Sequence, residues 1–163
     1  MPGLRPTPDR VRETLFNWLQ GEIDGARCLD LYAGSGALGF EAASRGASHV
    51  VQVESNPKVC SALRQNCAAL EATQIEVVQA EVRRFLAGSA RTFQMVFIDP
   101  PFRRGFIAPS CKLLDRRGWL ADNAWIYLEA EAELMLNDLP PRWSTVRSKK
   151  SGDVGYHLCR RTQ

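Results

Sequence analysis

The run Cys28–Gly39, which reads C-L-D-L-Y-A-G-S-G-A-L-G, constrains the fold more than any other part of the chain. An apolar strand passes through Asp30, a glycine-rich turn follows, and a helix begins at about Ala37. Gly34 and Gly36 carry no Cβ, so the backbone of the turn can approach a ligand closely. The helix start offers free N–H groups beside the same turn. The run therefore predicts an α/β fold with a ligand at this turn.

The bulk composition fits one globular domain that spans residues 1–163. Hydrophobic residues make up 45% and charged residues 24%, and the net charge of +3 does not by itself indicate a nucleic-acid partner. The five cysteines form no C-x-x-C pair and there are two histidines, so we expect no metal site. With no secretory signal and no apolar run of membrane-spanning length, we expect a cytoplasmic protein.

Strands alternate with helices along the chain, which predicts a mainly parallel sheet, doubly wound with helices on both faces. Two strands flank the turn Ser151-Gly-Asp so closely that they form a hairpin, so the sheet should end antiparallel. We expect helices at about 8–20, 37–45, 57–70, 82–86, 107–117 and 130–139. We expect strands at about 26–32, 48–54, 75–79, 93–98, 125–129, 142–149 and 154–161.

Acidic residues follow four of the predicted strands, and they are Asp30, Glu54, Glu81 and Asp99. The carboxyl ends of parallel strands meet at one edge of a sheet, and ligands bind in the crevice beyond that edge. We therefore expect these four side chains to line one rim of the protein.

The glycine turn matches the dinucleotide fingerprint G-x-G-x-x-G, but Asp30 argues against a nicotinamide cofactor. Its charge lies near where a pyrophosphate would pack. S-adenosylmethionine carries an ammonium and a sulfonium and no phosphate, so it suits a carboxylate better. An acid, the glycine turn and a second acid ending the next strand form the pattern of class I methyltransferases. A dehydrogenase that binds NADH at the turn remains an alternative.

The predicted S-adenosylmethionine site draws on three strand ends. Asp30 accepts from the ammonium, directly or through water, and Glu54 accepts from both ribose hydroxyls with its two oxygens. Glu81 accepts from the adenine amino group, with Val82 near the ring. The glycine turn brings its backbone close to the methionine part. The predicted cofactor-binding residues are Asp30, Ala33, Gly34, Gly36, Glu54, Glu81 and Val82.

The tetrad Asp99-Pro100-Pro101-Phe102 predicts the catalytic residues. Its prolines fix the backbone after a buried strand, so the Asp99 carboxylate and the Pro100 carbonyl can both accept from one planar amino group. Phe102 can stack on the ring that carries this group, which contributes roughly 1–3 kcal/mol. Two acceptors draw an aromatic amine toward sp³ geometry and aim its lone pair at a methyl group. Methyl transfer is then mainly a matter of positioning.

The tetrad resembles that of methyltransferases acting on exocyclic amino groups of adenine, cytosine or guanine, which has Asp or Asn, two prolines and an aromatic residue. Three motifs, Arg5–Asn17, Leu29–Glu41 and D-P-P-F-R-R-G from Asp99, together resemble the RsmD family over essentially the whole chain. The resemblance implies a Rossmann-like, seven-stranded mixed sheet in a cytoplasmic enzyme. It also implies that S-adenosylmethionine serves to methylate the N2 amino group of a guanine in bacterial 16S ribosomal RNA.

The resemblance also implies residues that hold the RNA. In the family, the segment at the first helix start closes over cofactor and target base, so Thr7 and Arg12 are predicted to bind substrate. Arg103 and Arg104 follow the tetrad and can contact phosphate beside a flipped-out base. Family members usually carry a basic stretch and a β-hairpin before the R-P-T motif. This sequence begins without them, so we expect part of the RNA grip to be missing.

Two further alternatives stay open. The tetrad also serves N6-adenine nucleic-acid methyltransferases, although 163 residues leave no room for a separate target-recognition domain. A non-catalytic RNA-binding assembly factor with this fold would leave the tetrad without a role. We expect a monomer that acts on 16S rRNA in the 30S subunit or an assembly intermediate. Further cations that could contact RNA cluster in the final hairpin: Arg147, Lys149, Lys150, Arg160 and Arg161.

Overall fold

The computed structural model describes residues 9–101, 105–132 and 139–162, and these form one seven-stranded sheet flanked by helices. The helices are α1 Asp9–Trp18, α2 Ala37–Ser44, α3 Pro57–Ala69, α4 Val82–Leu86 and α5 Ile107–Arg116. The strands are β1 Arg27–Leu31, β2 His49–Glu54, β3 Ile75–Gln79, β4 Phe93–Ile98, β5 Leu120–Glu131, β6 Trp143–Ser151 and β7 Val154–Arg161.

The strand order across the sheet is β3-β2-β1-β4-β5-β7-β6. The strands from β3 to β5 pair in parallel, and β7 pairs antiparallel with both β5 and β6. The order reverses between β1 and β4, which places the topological switch point at the carboxyl ends of these two strands. The predicted doubly wound sheet with a closing hairpin is confirmed.

The hydrophobic residues divide into two cores because successive side chains of a strand point to opposite faces. Leu29, Leu31 and Ile98 join one core with residues of α4 and α5. Cys28 and Phe97 join the other with residues of α1 and α2. The alternation therefore assigns each polar residue at a strand end to one face of the sheet. The face that carries Cys28 and Phe97 packs against α1 and α2, and we call it the α1 face.

Helix α1 begins at the carboxyl edge of the sheet, beside the start of α2. Arg12 Nε lies 3.7 Å from Glu41 Oε1, and one turn further on Arg45 lies over the Phe16 ring at 5.2 Å. These two contacts show that α1 and α2 run in the same direction. The first turn of α1 therefore lies at the edge where the acidic residues meet.

Helix α3 begins as its sequence predicts. Asn56 Oδ1 accepts hydrogen bonds from the N–H groups of Lys58 at 2.9 Å and Val59 at 3.3 Å, and Pro57 occupies the first helical position. This cap satisfies N–H groups that the helix itself leaves without partners. It also fixes the chain directly after Glu54, which orders the second strand end.

The helix predicted at 130–139 is wrong at its start. Ala130 and Glu131 belong to β5, where they pair with Gly155 and Val154 of β7. The ladder with a distant strand outweighs the local helical pattern. Residues 133–138 lie outside the described part of the chain.

Strand β5 also starts earlier than predicted, at Leu120 instead of Trp125. A register shift in its pairing with β4 allows Leu120 to pair with Phe93, so the residues before Trp125 join the strand.

Among the described residues, no helix is both long enough and apolar enough to cross a membrane.

Candidate active site

The glycine turn connects β1 to α2 through left-handed backbone. Gly34 has φ +56° and Gly36, the N-cap of α2, has φ +81°. Gly36 donates its N–H to the Ala33 carbonyl at 2.8 Å, and Ala33 donates to the Val53 carbonyl at 3.0 Å. Since residues with a Cβ rarely adopt this conformation, the two glycines allow the turn to fold back over the strand ends.

Asp30 lies beneath this turn and is only 2% exposed. Its Oδ2 accepts from the Gly39 N–H at 3.1 Å and from Gln52 Nε2 at 3.3 Å. Burial raises the pKa of the Asp30 carboxyl to about 7, against the opposing effect of these two hydrogen bonds, and nearby Glu54 raises it further. A positively charged group placed beside Asp30 would therefore stabilise its ionised form.

Gln52 joins Asp30 to the turn, although the sequence pattern does not single it out. It is fully buried on β2 beside Asp30, and its Nε2 also donates to the Gly36 carbonyl at 3.2 Å. Its Oε1 is buried without a hydrogen-bond partner. The available signal was a polar residue among the valines of the strand H-V-V-Q-V-E.

Glu54 ends β2 and also holds the turn. Its Oε1 accepts from the Gly34 N–H at 3.1 Å, its Oε2 accepts from the Asn56 N–H at 2.9 Å, and the residue is 9% exposed. Each carboxylate oxygen has a second acceptor site. The backbone thus orients both oxygens while each keeps the capacity to accept from a hydroxyl.

Glu81 follows β3 and is exposed, unlike Asp30 and Glu54. It caps α4 by accepting from the Arg84 N–H at 3.0 Å, and its Oε1 lies 3.6 Å from Arg83 Nε. Val82 is buried in the core on the α4 side of the sheet. The two residues follow the strand next to β2, but no hydrogen bond described here joins Glu81 to the cluster at the glycine turn.

Asp99 follows β4, the strand on the other side of β1. It is partly exposed, Pro100 is buried and Pro101 is partly exposed. The pairing of Ile98 with Leu128 brings Asp99 beside the residue that follows Leu128 on β5. The remaining predicted residues Thr7, Phe102, Arg103 and Arg104 lie outside the described ranges.

That neighbour of Asp99 is Glu129, which sequence reasoning does not place in the site. Glu129 is 4% exposed, and its Oε1 accepts from the Tyr127 hydroxyl at 2.8 Å. Tyr127 is fully buried, and burial, Glu129 and Asp99 all raise its pKa. The signal was available, since W-I-Y-L-E is a fifth strand that ends in an acid.

Tyr32 ties the glycine turn to α5. Its hydroxyl lies 2.9 Å from Ser110 Oγ, and its ring stacks on Phe106 with centroids 5.7 Å apart and planes inclined by 6°. Burial raises the pKa of Tyr32, so the hydroxyl stays protonated. This contact fixes the chain that follows the tetrad segment against the chain that follows β1.

Arg12, predicted to bind substrate, forms ion pairs with two acids. Its Nη2 lies 3.0 Å from Asp9 Oδ1, and its Nε lies 3.7 Å from Glu41 Oε1. The Arg12 side chain is 27% exposed at the first turn of α1. It therefore lies at the carboxyl edge of the sheet, where its charge is partly balanced.

The arrangement places hydrogen-bond acceptors along one rim of the α1 face. Asp30 and Glu54 lie under and beside the glycine turn, and Asp99 and Glu129 lie across the switch point. Carboxylates bind ammonium groups, hydroxyls and amino groups, whereas they repel phosphate. The described part of the chain holds no group of His, Cys, Asp and Glu side chains that could bind a metal ion.

Comparison with known proteins identifies the family. The family model described as Conserved hypothetical protein 95 matches residues 1–160. The chain belongs to this family. It is 49% identical over 160 residues to Ribosomal RNA small subunit methyltransferase D of Escherichia coli (strain K12), covering 98% of the chain and 81% of that relative.

The family is further supported by a second relative and by a solved structure. The chain is 42% identical over 160 residues to Ribosomal RNA small subunit methyltransferase D of Haemophilus influenzae, which covers 96% of the chain and 82% of the relative. The solved structure of yhhF from Escherichia coli matches it with a TM-score of 0.92 and 48% identity, covering 99% of this chain and 89% of that one. The family and the fold predicted from the three motifs are confirmed.

Gly39→Ala should destabilise the protein by roughly 1–3 kcal/mol, because its Cβ would lie 2.5 Å from Gln52 Nε2 and 2.8 Å from Asp30 Oδ2. In the double variant with Gln52→Ala, part of that loss should be recovered, since the shortened side chain makes room. Urea unfolding of the two single variants and the double variant measures the coupling. Strictly additive effects would contradict the close packing described here.

Asp30→Asn should change how stability depends on pH. The folded pKa of about 7 exceeds the unfolded value, so in the wild type the proton favours folding and the unfolding free energy falls as pH rises from about 4 to about 7. The variant lacks this decline, so its unfolding free energy relative to that of the wild type should rise over that pH range. The rise should be on the order of 2–4 kcal/mol and should level off above about pH 7.

Urea titrations at several pH values measure this difference. Asp122→Asn is the matched control, because the Asp122 side chain is 70% exposed and should give the same profile as the wild type. Parallel profiles for the wild type and Asp30→Asn would show that Asp30 titrates normally.

Proposed function

We propose that the protein transfers a methyl group from S-adenosylmethionine to the N2 amino group of a guanine in 16S ribosomal RNA. The relatives named Ribosomal RNA small subunit methyltransferase D support the reaction class and the RNA. The observation that carries the proposal is the placement of buried Asp30 and Glu54 at a glycine turn, directly across the switch point from Asp99.

The residues present fit S-adenosylmethionine. Asp30 is buried with a raised pKa, so a ligand that brings a positive charge stabilises its ionised form. Glu54 has both oxygens oriented by backbone N–H groups and can accept from two neighbouring ribose hydroxyls. Ala33, Gly34 and Gly36 supply the backbone of the turn. When bound, the cofactor supplies a methyl group on a positively charged sulfur.

Glu81 and Val82 complete the proposed cofactor site at the end of β3. Glu81 already caps α4, which fixes one oxygen, and its exposed carboxylate can still accept from the adenine amino group. Val82 follows it at the start of the same helix, where its backbone lies beside the place proposed for the adenine ring. These two residues would bind the adenine base of the cofactor, whereas Asp30 would bind its charged part.

The chain's own contribution to transfer is to orient the target amine. Asp99 and the Pro100 carbonyl would accept hydrogen bonds from its two N–H groups, which directs the nitrogen lone pair away from the ring, and Pro101 stiffens the segment. Once the nitrogen carries the methyl group it must release one of these protons, for which the Asp99 carboxylate offers an acceptor. Phe102 stacks on the base. Since the acceptors lie at the edge of a rigid sheet, the amine is held in position before transfer, and positioning of this kind accounts for much of a rate enhancement.

The proposed RNA contacts surround this site. Thr7 and Arg12 would cover the base from the start of α1, and Arg103 and Arg104 would contact phosphate after the tetrad. Strand β6 adds three exposed cations, Arg147 and Lys149 on one face of the strand and Lys150 on the other. None of these three forms an ion pair with another described residue, so each can neutralise a phosphate.

The other two cations of the hairpin are less available. Arg160 lies over the Trp125 ring at 4.5 Å and donates to the Asn123 carbonyl, and Arg161 pairs with Asp115 at 3.3 Å. These contacts make structural roles the simpler assignment for both. The proposed phosphate-binding cations of the hairpin are therefore confined to β6.

We further propose that the enzyme works as a monomer in the cytoplasm, on the 30S subunit or an assembly intermediate.

Methylation assays with labelled S-adenosylmethionine test the proposal directly. Unmodified 30S particles, naked 16S rRNA and DNA are offered in parallel, and the products are digested to nucleosides. Label in N2-methylguanosine from 30S particles or 16S rRNA is the expected result. Label in N6-methyladenine, or in DNA alone, would refute it, and binding of NADH in place of S-adenosylmethionine would favour a dehydrogenase.

Asp99→Ala and Glu54→Ala should separate chemistry from binding. Loss of Asp99 should leave the affinity for S-adenosylmethionine nearly unchanged and lower methyl transfer about 100-fold, because Asp99 orients the amine. Loss of Glu54 should mainly weaken cofactor binding, since a ribose contact contributes equally before and during transfer. Calorimetry and single-turnover rates at saturating cofactor measure the two effects. Equal losses of both quantities in Asp99→Ala would remove its assigned role.

Replacing Arg147, Lys149 and Lys150 together by Ala should weaken RNA binding and lower the dependence of log affinity on log salt concentration by about 2–3. Replacing Lys112, Arg116 and Arg117 together by Ala removes the same charge and is the matched control, because these three exposed cations lie on or directly after α5, across the sheet from the proposed base site. Filter binding of 16S rRNA over a range of salt measures the slope. An equal effect in the control would assign binding to net charge alone.

A further inference from the structure

We propose that Glu129 selects the target base, by accepting a hydrogen bond from the ring N1–H of guanine while Asp99 and Pro100 accept from the amino group. This inference rests on the proposed methylation of a guanine amino group. It assigns a specificity-determining role to a residue that no sequence motif discussed above includes.

The sheet places Glu129 next to Asp99 on the same face. The parallel register pairs Phe97 with Tyr127 and Ile98 with Leu128, and Asp99 and Glu129 are the next residue on each side. Both act electrostatically on Tyr127, so both lie near it. Side chains alternate along both strands, and since Phe97 and Tyr127 belong to the core on the α1 face, Asp99 and Glu129 share that face. In the proposed orientation, a base whose amino group meets Asp99 turns its N1 edge toward Glu129.

Glu129 is a buried acceptor whose direction is set by a neighbouring hydroxyl. It is 4% exposed, and the Tyr127 hydroxyl donates to its Oε1 at 2.8 Å. Tyr156, also 4% exposed, lies opposite it on β7. Burying a carboxylate is costly unless its oxygens find donors. An oriented acceptor beside the proposed catalytic acid is what recognition of a donor on a ligand requires.

Tyr127 keeps its proton under these conditions. Burial and the nearby Glu129 and Asp99 all raise its pKa, so its hydroxyl keeps its proton and donates to Glu129. Tyr127 is therefore a positioning residue, which occupies one oxygen of Glu129 and fixes the direction of the carboxylate.

The chemistry of the bases makes this contact selective. On one side of its amino group guanine carries the ring N1–H, which is a donor, and on the other the ring N3, which accepts, whereas the ring nitrogen beside the amino group of adenine or cytosine only accepts. A carboxylate only accepts, so it pairs with guanine and faces a lone pair in the other two. A site built to bond one such group rejects an analogue that lacks it by large factors, because its own buried group is left unpaired.

The test replaces the target guanine by 2-aminopurine, which keeps the N2 amino group but has an accepting N1 and no N1–H. Once the methylated position is mapped, 30S particles are reconstituted with either base there. We expect the wild type to prefer guanine by about 100-fold or more in kcat/KM. In Glu129→Gln, whose amide can donate to N1, the preference should fall to within about tenfold.

Glu76→Gln is the matched control, since it makes the same change on an exposed strand residue that pairs with Arg91 far from the rim. It should keep the full preference. Affinity for S-adenosylmethionine and thermal unfolding establish that each variant is folded. If Glu129→Gln does not fold, Tyr127→Phe decides, because it keeps the carboxylate but removes its fixed donor and should lower the preference about tenfold.

The outcomes distinguish this inference from the proposed function. A wild type that methylates no guanine in RNA refutes the proposed function and this inference with it. A wild type that methylates guanine, with Glu129→Gln or Tyr127→Phe retaining the full preference over 2-aminopurine, overturns the inference alone. Loss of activity on both bases to the same extent also overturns it, because that result describes a structural role.

Discussion

The hydrogen bond from the Gly39 N–H to Asp30 Oδ2 joins the glycine turn to the sheet, and the site depends on it. It can form only because Gly39 brings α2 within 3.1 Å of a side chain on β1, where a Cβ would collide with Gln52. Gln52 completes the junction by bonding both Asp30 and the Gly36 carbonyl. The cost of burying this carboxyl appears in its raised pKa, which a cationic ligand would lower again.

Strand alternation then distributes the remaining groups. Every second residue of β1, β2, β4 and β5 points toward the core under α1 and α2, and in each series an acidic residue stands at or near the carboxyl end of the strand. They are Asp30, Glu54, Asp99 and Glu129, the third of which stands just past the end of its strand. One geometric rule therefore produces both the proposed cofactor site and the proposed base site.

Much of this could be predicted from the sequence, because the signals are local. The glycine turn, the acids after three strands and the Asp99 tetrad are local patterns, and the turn and the tetrad, together with the run Arg5–Asn17, also carried the resemblance to the family. The link through Gln52 and the Tyr127–Glu129 pair could not be predicted in the same way, because they depend on which strands become neighbours. The helix expected at 130–139 failed at Ala130 for the same reason, since the pairing of Ala130 with Gly155 joins residues distant in sequence.

The two outer strands of the sheet are protected against self-association by different means. At one edge, Arg64 of α3 donates to the Val77 carbonyl of β3 at 3.4 Å, so a side chain covers part of the strand. At the other, β6 is exposed along nearly its whole length and carries Arg147, Lys149 and Lys150. Two copies approaching edge to edge there would bring like charges together, which opposes strand addition. A nucleic acid that neutralised those charges would remove the repulsion between copies. It would oppose strand addition only if it also covered the unpaired edge of β6.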